Sequence, residues 1–292
     1  MQTNQTNKFA SLPALTMRAF TRLVALGALG VAAVWPMVAS AQLDKPTPPA
    51  QQSQSEQNDT TFLNDFITVA LGREYGGANQ GQLIKWSKPI RIGVTGEEGV
   101  YYRPAVEQHI SDLQEIISHP ISLVRGGEAD ILIVFLKKLT ADEVDRFQKL
   151  YRPFFASDEA YQKQLNAIRD DSFKAVCLTT IRTIKSKGEL NGGIVFIPAE
   201  KKSAVAWQCI VEEITQALGL PNDSDTNFYS IFNDRSPHIS LTAKDKRMLR
   251  LLYDPRIKAG MREPEVRQTA AEILKEWAAA KAAANRNNST DR

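Results

Sequence analysis

The sequence predicts an α+β fold in which a mixed sheet is backed by helices and the C-terminal part is mostly helical. Three observations lead there. Short apolar strands, among them I-R-I-G-V at Ile90–Val94 and A-D-I-L-I-V-F-L at Ala129–Leu136, alternate with stretches of helical periodicity. Two strand-like segments, residues 174–183 and G-G-I-V-F-I-P at Gly192–Pro198, follow one another across a polar turn around Lys187–Asn191. From Trp207 onward only helical periods remain.

Taken in order, Phe62–Leu71 places Phe62, Phe66, Val69 and Ala70 at helical spacing, and Gly72, Gly76 and Gly77 break it. Ile90–Val94 alternates as a strand. Pro104–Ile117 carries Val106, Ile110, Leu113, Ile116 and Ile117 on one face and is stopped by Pro120. I-S-L-V from Ile121 and then Ala129–Leu136 are strands, the second so apolar that it belongs in the middle of the sheet. Helical stretches follow at about Thr140–Leu150 and Asp158–Ile168, then the strand pair. Trp207, Ile210, Val211, Ile214 and Leu218 mark another helix, and Thr242–Tyr253 and Glu263–Ala279 mark two more.

The N-terminus reads as an address. Lys8, Arg18 and Arg22 precede the apolar run Leu23–Val34, and Ala39-Ser40-Ala41 supplies a small-residue cleavage pattern. Residues 1–41 are therefore expected to be a signal peptide, and the product to be periplasmic or secreted. The run is shorter than the ~20 residues that span a bilayer, and no second long apolar run follows, so no stable membrane span is expected after cleavage. Residues 42–60, rich in Pro, Gln, Ser and Asn, have little to bury and read as a disordered linker. Residues 61–279 form the expected domain, and 280–292 a fraying helix and disordered tail.

Loss of the leader removes three basic residues and no acidic ones, bringing Lys+Arg from 36 to 33, level with Asp+Glu at 33. A near-neutral product lacks the broad basic footprint of a nucleic-acid-binding protein. Cys177 and Cys209 are the two cysteines. In an oxidising compartment a disulfide is the expectation, with two separate buried thiols as the alternative.

The stretch that carries chemistry is V-E-E-I-T-Q-A-L-G-L-P-N-D, Val211–Asp223. At 100° per residue, Glu212 and Gln216 fall opposite the apolar positions of their helix, one turn apart, with Glu213 beside them. Gly219 then supplies the residue that lets the chain reverse. Taken alone, such a run is also the solvated face of an amphipathic helix. His109 and His119, on or just after the early helix, are expected at or near the surface, and His238 follows the S-I-F turn.

The flanking residues add a resemblance. L-G-L-P-N-D continues E-E-I-T-Q as the extended metzincin zinc motif does, with Glu212, Gln216 and Asn222 at the three ligand positions and Glu213 at the general base. Ser230-Ile231-Phe232 resembles the Met-turn with Phe232 in place of Met, L-T-A-K-D-K-R-M-L-R-L-L-Y resembles the helix that follows it, and E-A-D-I-L-I-V-F resembles the A-D-I-x-I-x-F strand. The chain also looks like a family of exported proteobacterial proteins with a domain of unknown function that carry C-x-x-E-E-x-x-Q-x-L-G-L-x-N-D, S-I-F-N-D and L-Y-D-P-R-x-x-x-G-M.

The resemblance implies a zincin-like scaffold with a degenerate zinc motif. Imidazole and thiolate hold zinc, whereas the Gln216 and Asn222 amides are weak neutral donors, so no metal and no cofactor are expected. Gly219, Asp223, Ser230 and Phe232 are expected to shape the cleft and its turn. The implied function is binding or assembly in the cell envelope through the former substrate cleft, with an unidentified envelope protein or peptide as partner. The alternative is a peptidase with atypical metal ligands or with a metal-independent Glu213/Gln216 dyad.

Overall fold

The strand sequences sort themselves onto two faces. In the computed structural model, which describes residues 50–72, 81–173, 175–199, 203–225, 229–233 and 235–290, five strands form one sheet in the order β2-β1-β3-β5-β4. These are β1 (Ile90–Gly96), β2 (Ile121–Leu123), β3 (Ile131–Leu136), β4 (Leu178–Ile184) and β5 (Glu189–Pro198). β1, β2, β3 and β5 run parallel, and β4 pairs antiparallel with β5 at the edge. β3 is central, as its uninterrupted apolar run requires. Ile131, Ile133 and Phe135 face one core while Val134 and Leu136 face the other, and β5 does the same with Val195 and Ile197 against Ile194 and Phe196.

Helices cover both faces. The larger core receives α1 (Ala50–Leu71), α2 (Gly99–Ile116), α6 (Ser203–Ala217), α7 (Ala243–Leu252) and α8 (Glu263–Thr290). The smaller core receives α3 (Ala141–Asp145), α4 (Gln148–Tyr151) and α5 (Asp158–Arg169), packed around Tyr151, Tyr161 and Phe196. The result is a mixed α+β fold with a five-stranded sheet backed by helices and a helical C-terminal part.

Several boundaries differ from the sequence reading: α2 begins at Gly99 rather than Pro104, β4 at Leu178, and β5 at Glu189 within the expected turn. α1 begins at Ala50, inside the stretch read as a disordered linker, and α8 continues to Thr290 through the expected tail. Once the apolar face of a helix is anchored by packing, adding Gln, Glu or Ala residues to its end requires no new nucleation. The expected signal peptide and residues 42–49 lie outside the described residues, as do the breakers Gly76 and Gly77. A single helix was expected over Thr140–Leu150, whereas α3 and α4 are separate because the chain bends at Arg146–Phe147.

Candidate functional site

Helix α6 follows β5 and lies against the sheet. It is not a half-solvated helix. Beyond its apolar residues, Thr215 is fully buried and Glu213 and Gln216 are each only 6% exposed, while Glu212 is half-buried. The expectation that Glu212 and Gln216 lie on an open face is thus corrected for Gln216. The reason is tertiary: β4 and β5 pack on one side of α6, α2 on another, and the loop after α6 folds back over Gln216.

The loop is organised residue by residue. Trp86 Nε1 donates to Ala217 O at 2.9 Å and the Tyr253 hydroxyl to Leu218 O at 2.9 Å, capping the carbonyls that end the helix. Gly219 has φ +116°, and a Cβ there would stand 2.4 Å from Ile84 O. Only glycine lets the chain turn this close to its neighbour. After the turn, Gln216 Nε2 donates to Asp223 Oδ1 at 3.1 Å, while Asn222 Nδ2 donates to Asp223 O at 2.7 Å and to Thr68 O near the end of α1 at 3.1 Å. The sequence placed Asn222 with Glu212 and Gln216. The Asn222 amide is seated on α1, where a Cβ on Gly72 would come within 2.4 Å of Asn222 Nδ2.

The S-I-F turn is held by a carboxylate that the site prediction did not include. Ser230 Oγ donates to Asp245 Oδ1 at 2.5 Å and Ile231 N to Asp245 Oδ2 at 3.2 Å. The same Oδ2 accepts from Thr242 N at 2.8 Å and Thr242 Oγ1 at 2.7 Å, closing a capping box at the start of α7. Asp245 is fully buried and so saturated with donors, as a buried carboxylate must be. The signal for it was present in T-x-x-D at Thr242–Asp245. Phe232 fills the larger core, and its carbonyl accepts from Ser224 N at 2.8 Å, so the turn and the loop after α6 are one hydrogen-bonded unit.

Other polar residues carry structure. His109 is buried rather than at the surface, with its Nε2 3.4 Å from Thr215 Oγ1 between α2 and α6. Burial pushes its imidazole down to about 4, against the opposing pull of the Asp112 carboxylate and the Val211 carbonyl. Lys85 Nζ donates to Leu252 O at 2.7 Å and Ile257 O at 2.8 Å, so the L-Y-D-P-R-I-K-A-G-M segment wraps around an ammonium group. Burial and neighbouring Lys258 lower the Lys85 pKa to about 8, with Asp254 opposing.

Cys177 and Cys209 stand at disulfide distance, Cα atoms 6.0 Å apart, linking the residue before β4 to α6. Thr179 Oγ1 on β4 also donates to Glu213 O at 3.2 Å. Among the described residues no three His, Cys, Asp or Glu side chains come together as metal ligands. An open depression of about 560 Å³ lined by Gln148, Lys149, Arg152, Pro153, Asp158, Tyr161 and Gln162 contains none of the predicted site residues.

What these parts can do chemically is limited. The amide nitrogens of Gln216 and Asn222 are committed to protein oxygens, and Glu213 is closed in beside them. No curated protein matches the chain. The profile of one family matches residues 59–272, from within α1 to within α8, which takes in every strand and the whole of the motif region. The chain belongs to that family, described as Protein of unknown function (DUF2927).

Proposed function

We propose that this protein is an exported, zincin-like scaffold without a competent zinc site, acting as a binding or assembly factor in the cell envelope through its former substrate cleft. The zincin-like reading is supported by the arrangement of the parts that carry the resemblance. The E-E-I-T-Q helix directly follows a sheet strand, ends at a positive-φ glycine, and is tied to the S-I-F turn and the L-T-A-K-D helix. Zinc does not fit the residues present, because Gln216 and Asn222 offer neutral amides already engaged in the fold. The burial of Glu213 and Gln216 weighs against the peptidase alternative, since a general base must reach substrate.

The observation that carries the binding reading is strand β4. It is one edge of the sheet, paired among the described residues only with β5, and it lies against α6. Val176 just before it is 46% exposed and Ile184 at its end 38%. An exposed strand edge with apolar side chains is the arrangement onto which an extended peptide adds as a further strand. The bulge at Arg182/Thr183 bends the strand between its two exposed apolar positions.

Screening the mature protein against a displayed library of extended apolar peptides, followed by fluorescence polarisation, tests this reading. Peptides with micromolar Kd are expected, weakened at least tenfold by Val176→Lys/Ile184→Lys. No selected peptide, or binding indifferent to that variant, sinks it.

A further inference from the structure

The hydrogen bonds around Asn222 form a relay between elements far apart in sequence. From α1, Thr68 O accepts the Asn222 amide; Asn222 also donates to Asp223 O; and Asp223 Oδ1 accepts the Gln216 amide from α6. We propose that the loop Pro221–Asp223 is a flap that closes the motif site by docking Asn222 on the C-terminal end of helix α1, and that its release uncovers Gln216 and Glu213.

The division into fixed and moving parts follows from burial. The end of α1 is the fixed post, because Val69, Ala70 and Leu71 in its last turn are buried in the larger core. Pro221, Asn222 and Asp223 are half-buried, so moving the loop exposes far less apolar surface than moving the helix. Leu220, fully buried, marks one hinge end beside the positive-φ Gly219. Ser224, held by Phe232 O and by Asn233 Nδ2 at 2.7 Å, marks the side that stays attached to the S-I-F turn.

Asn222 is suited to this latch in size as well as in chemistry. Thr68 O lies in the last turn of α1, where it accepts from Gly72 N at 3.1 Å and still has a second lone pair for the Asn222 amide. Gly72 leaves room for the amide, and any Cβ at that position would strike it. The same contact can therefore be broken from either side, by Asn222→Ala or by Gly72→Ala. The inference stands independently of the peptide-binding reading, since it concerns access to α6 and not what enters.

Hydrogen exchange and thiol labelling of the intact mature protein test it. Both single variants are expected to raise exchange in residues 219–223 at least tenfold while residues 263–274 of α8 keep their protection. A Glu213→Cys thiol is expected to react with maleimide at least tenfold faster when Asn222→Ala is added. Unchanged exchange in the loop, or a uniform increase that includes α8, overturns the flap. Faster loop exchange without faster labelling also overturns it, because the loop would then move without uncovering the site.

Discussion

His109 illustrates how much a single residue's role depends on what surrounds it. An imidazole on an early helix has no reason in its own sequence to be buried, yet α6 covers it with Val211, Thr215 and Trp207. Its folded pKa of about 4 lies below the ordinary 6.5, so between those values the unfolded chain binds the extra proton. Stability is therefore expected to be highest, for this group, above pH 6.5 and to fall as pH drops towards 4, by on the order of 3 kcal/mol. Below about 4 both states are protonated and the loss is complete. Urea unfolding between pH 4.5 and 7 should show this slope in the wild type and lose it in His109→Gln; identical slopes would mean that the imidazole is solvated.

At the scale of elements, the edge hairpin and the motif helix are joined three times. Thr179 bonds the Glu213 carbonyl, apolar side chains of β4 and β5 pack on α6, and Cys177 meets Cys209. The cysteines are 32 residues apart, and a crosslink closing a loop of that length contributes about 3 kcal/mol by restricting the unfolded chain. Cys177→Ala/Cys209→Ala is expected to lower unfolding stability by that amount and to speed exchange first in β4, an edge strand with one neighbour. A loss below about 1 kcal/mol, with β4 still protected, would show that packing alone holds the edge. The residues of E-E-I-T-Q were legible as a helix because apolar positions recur at its period. That their polar face would be covered was not legible, because the covering groups come from β4, α2 and the returning loop.

Across the whole molecule, α1 is part of the foundation. Phe62, Phe66, Val69 and Leu71 are all buried in the larger core, and at about 1.5–3 kcal/mol for each large side chain they amount to roughly the stability of a typical domain. Asp65 pairs with Lys244, Arg247 reaches Asp59 at 2.6 Å and lies 4.2 Å over the Phe62 ring, and Arg267 bonds Asn64 at 2.9 Å. A chain beginning at Gly81 is therefore expected to lose its near-ultraviolet circular dichroism and its cooperative unfolding transition. Retention of both would show that the sheet and the remaining helices suffice.

The sequence by itself determined the elements and their class. Alternation in I-L-I-V-F-L and G-I-V-F-I-P, helical periods in the remaining stretches, and glycine at position 219 are local properties that report directly on backbone geometry and on which side faces a core. It also determined which polar residues share one helix turn, and which two cysteines could meet. Only the tertiary structure decided what those residues touch. Asn222 turned to α1, Asp245 gathered the S-I-F turn and the start of α7, and His109 disappeared under α6, because each partner lies on an element far away in the chain. Burial and hydrogen-bond satisfaction are properties of such non-local packing, and a pattern read along one strand or helix carries no information about the surface that will cover it.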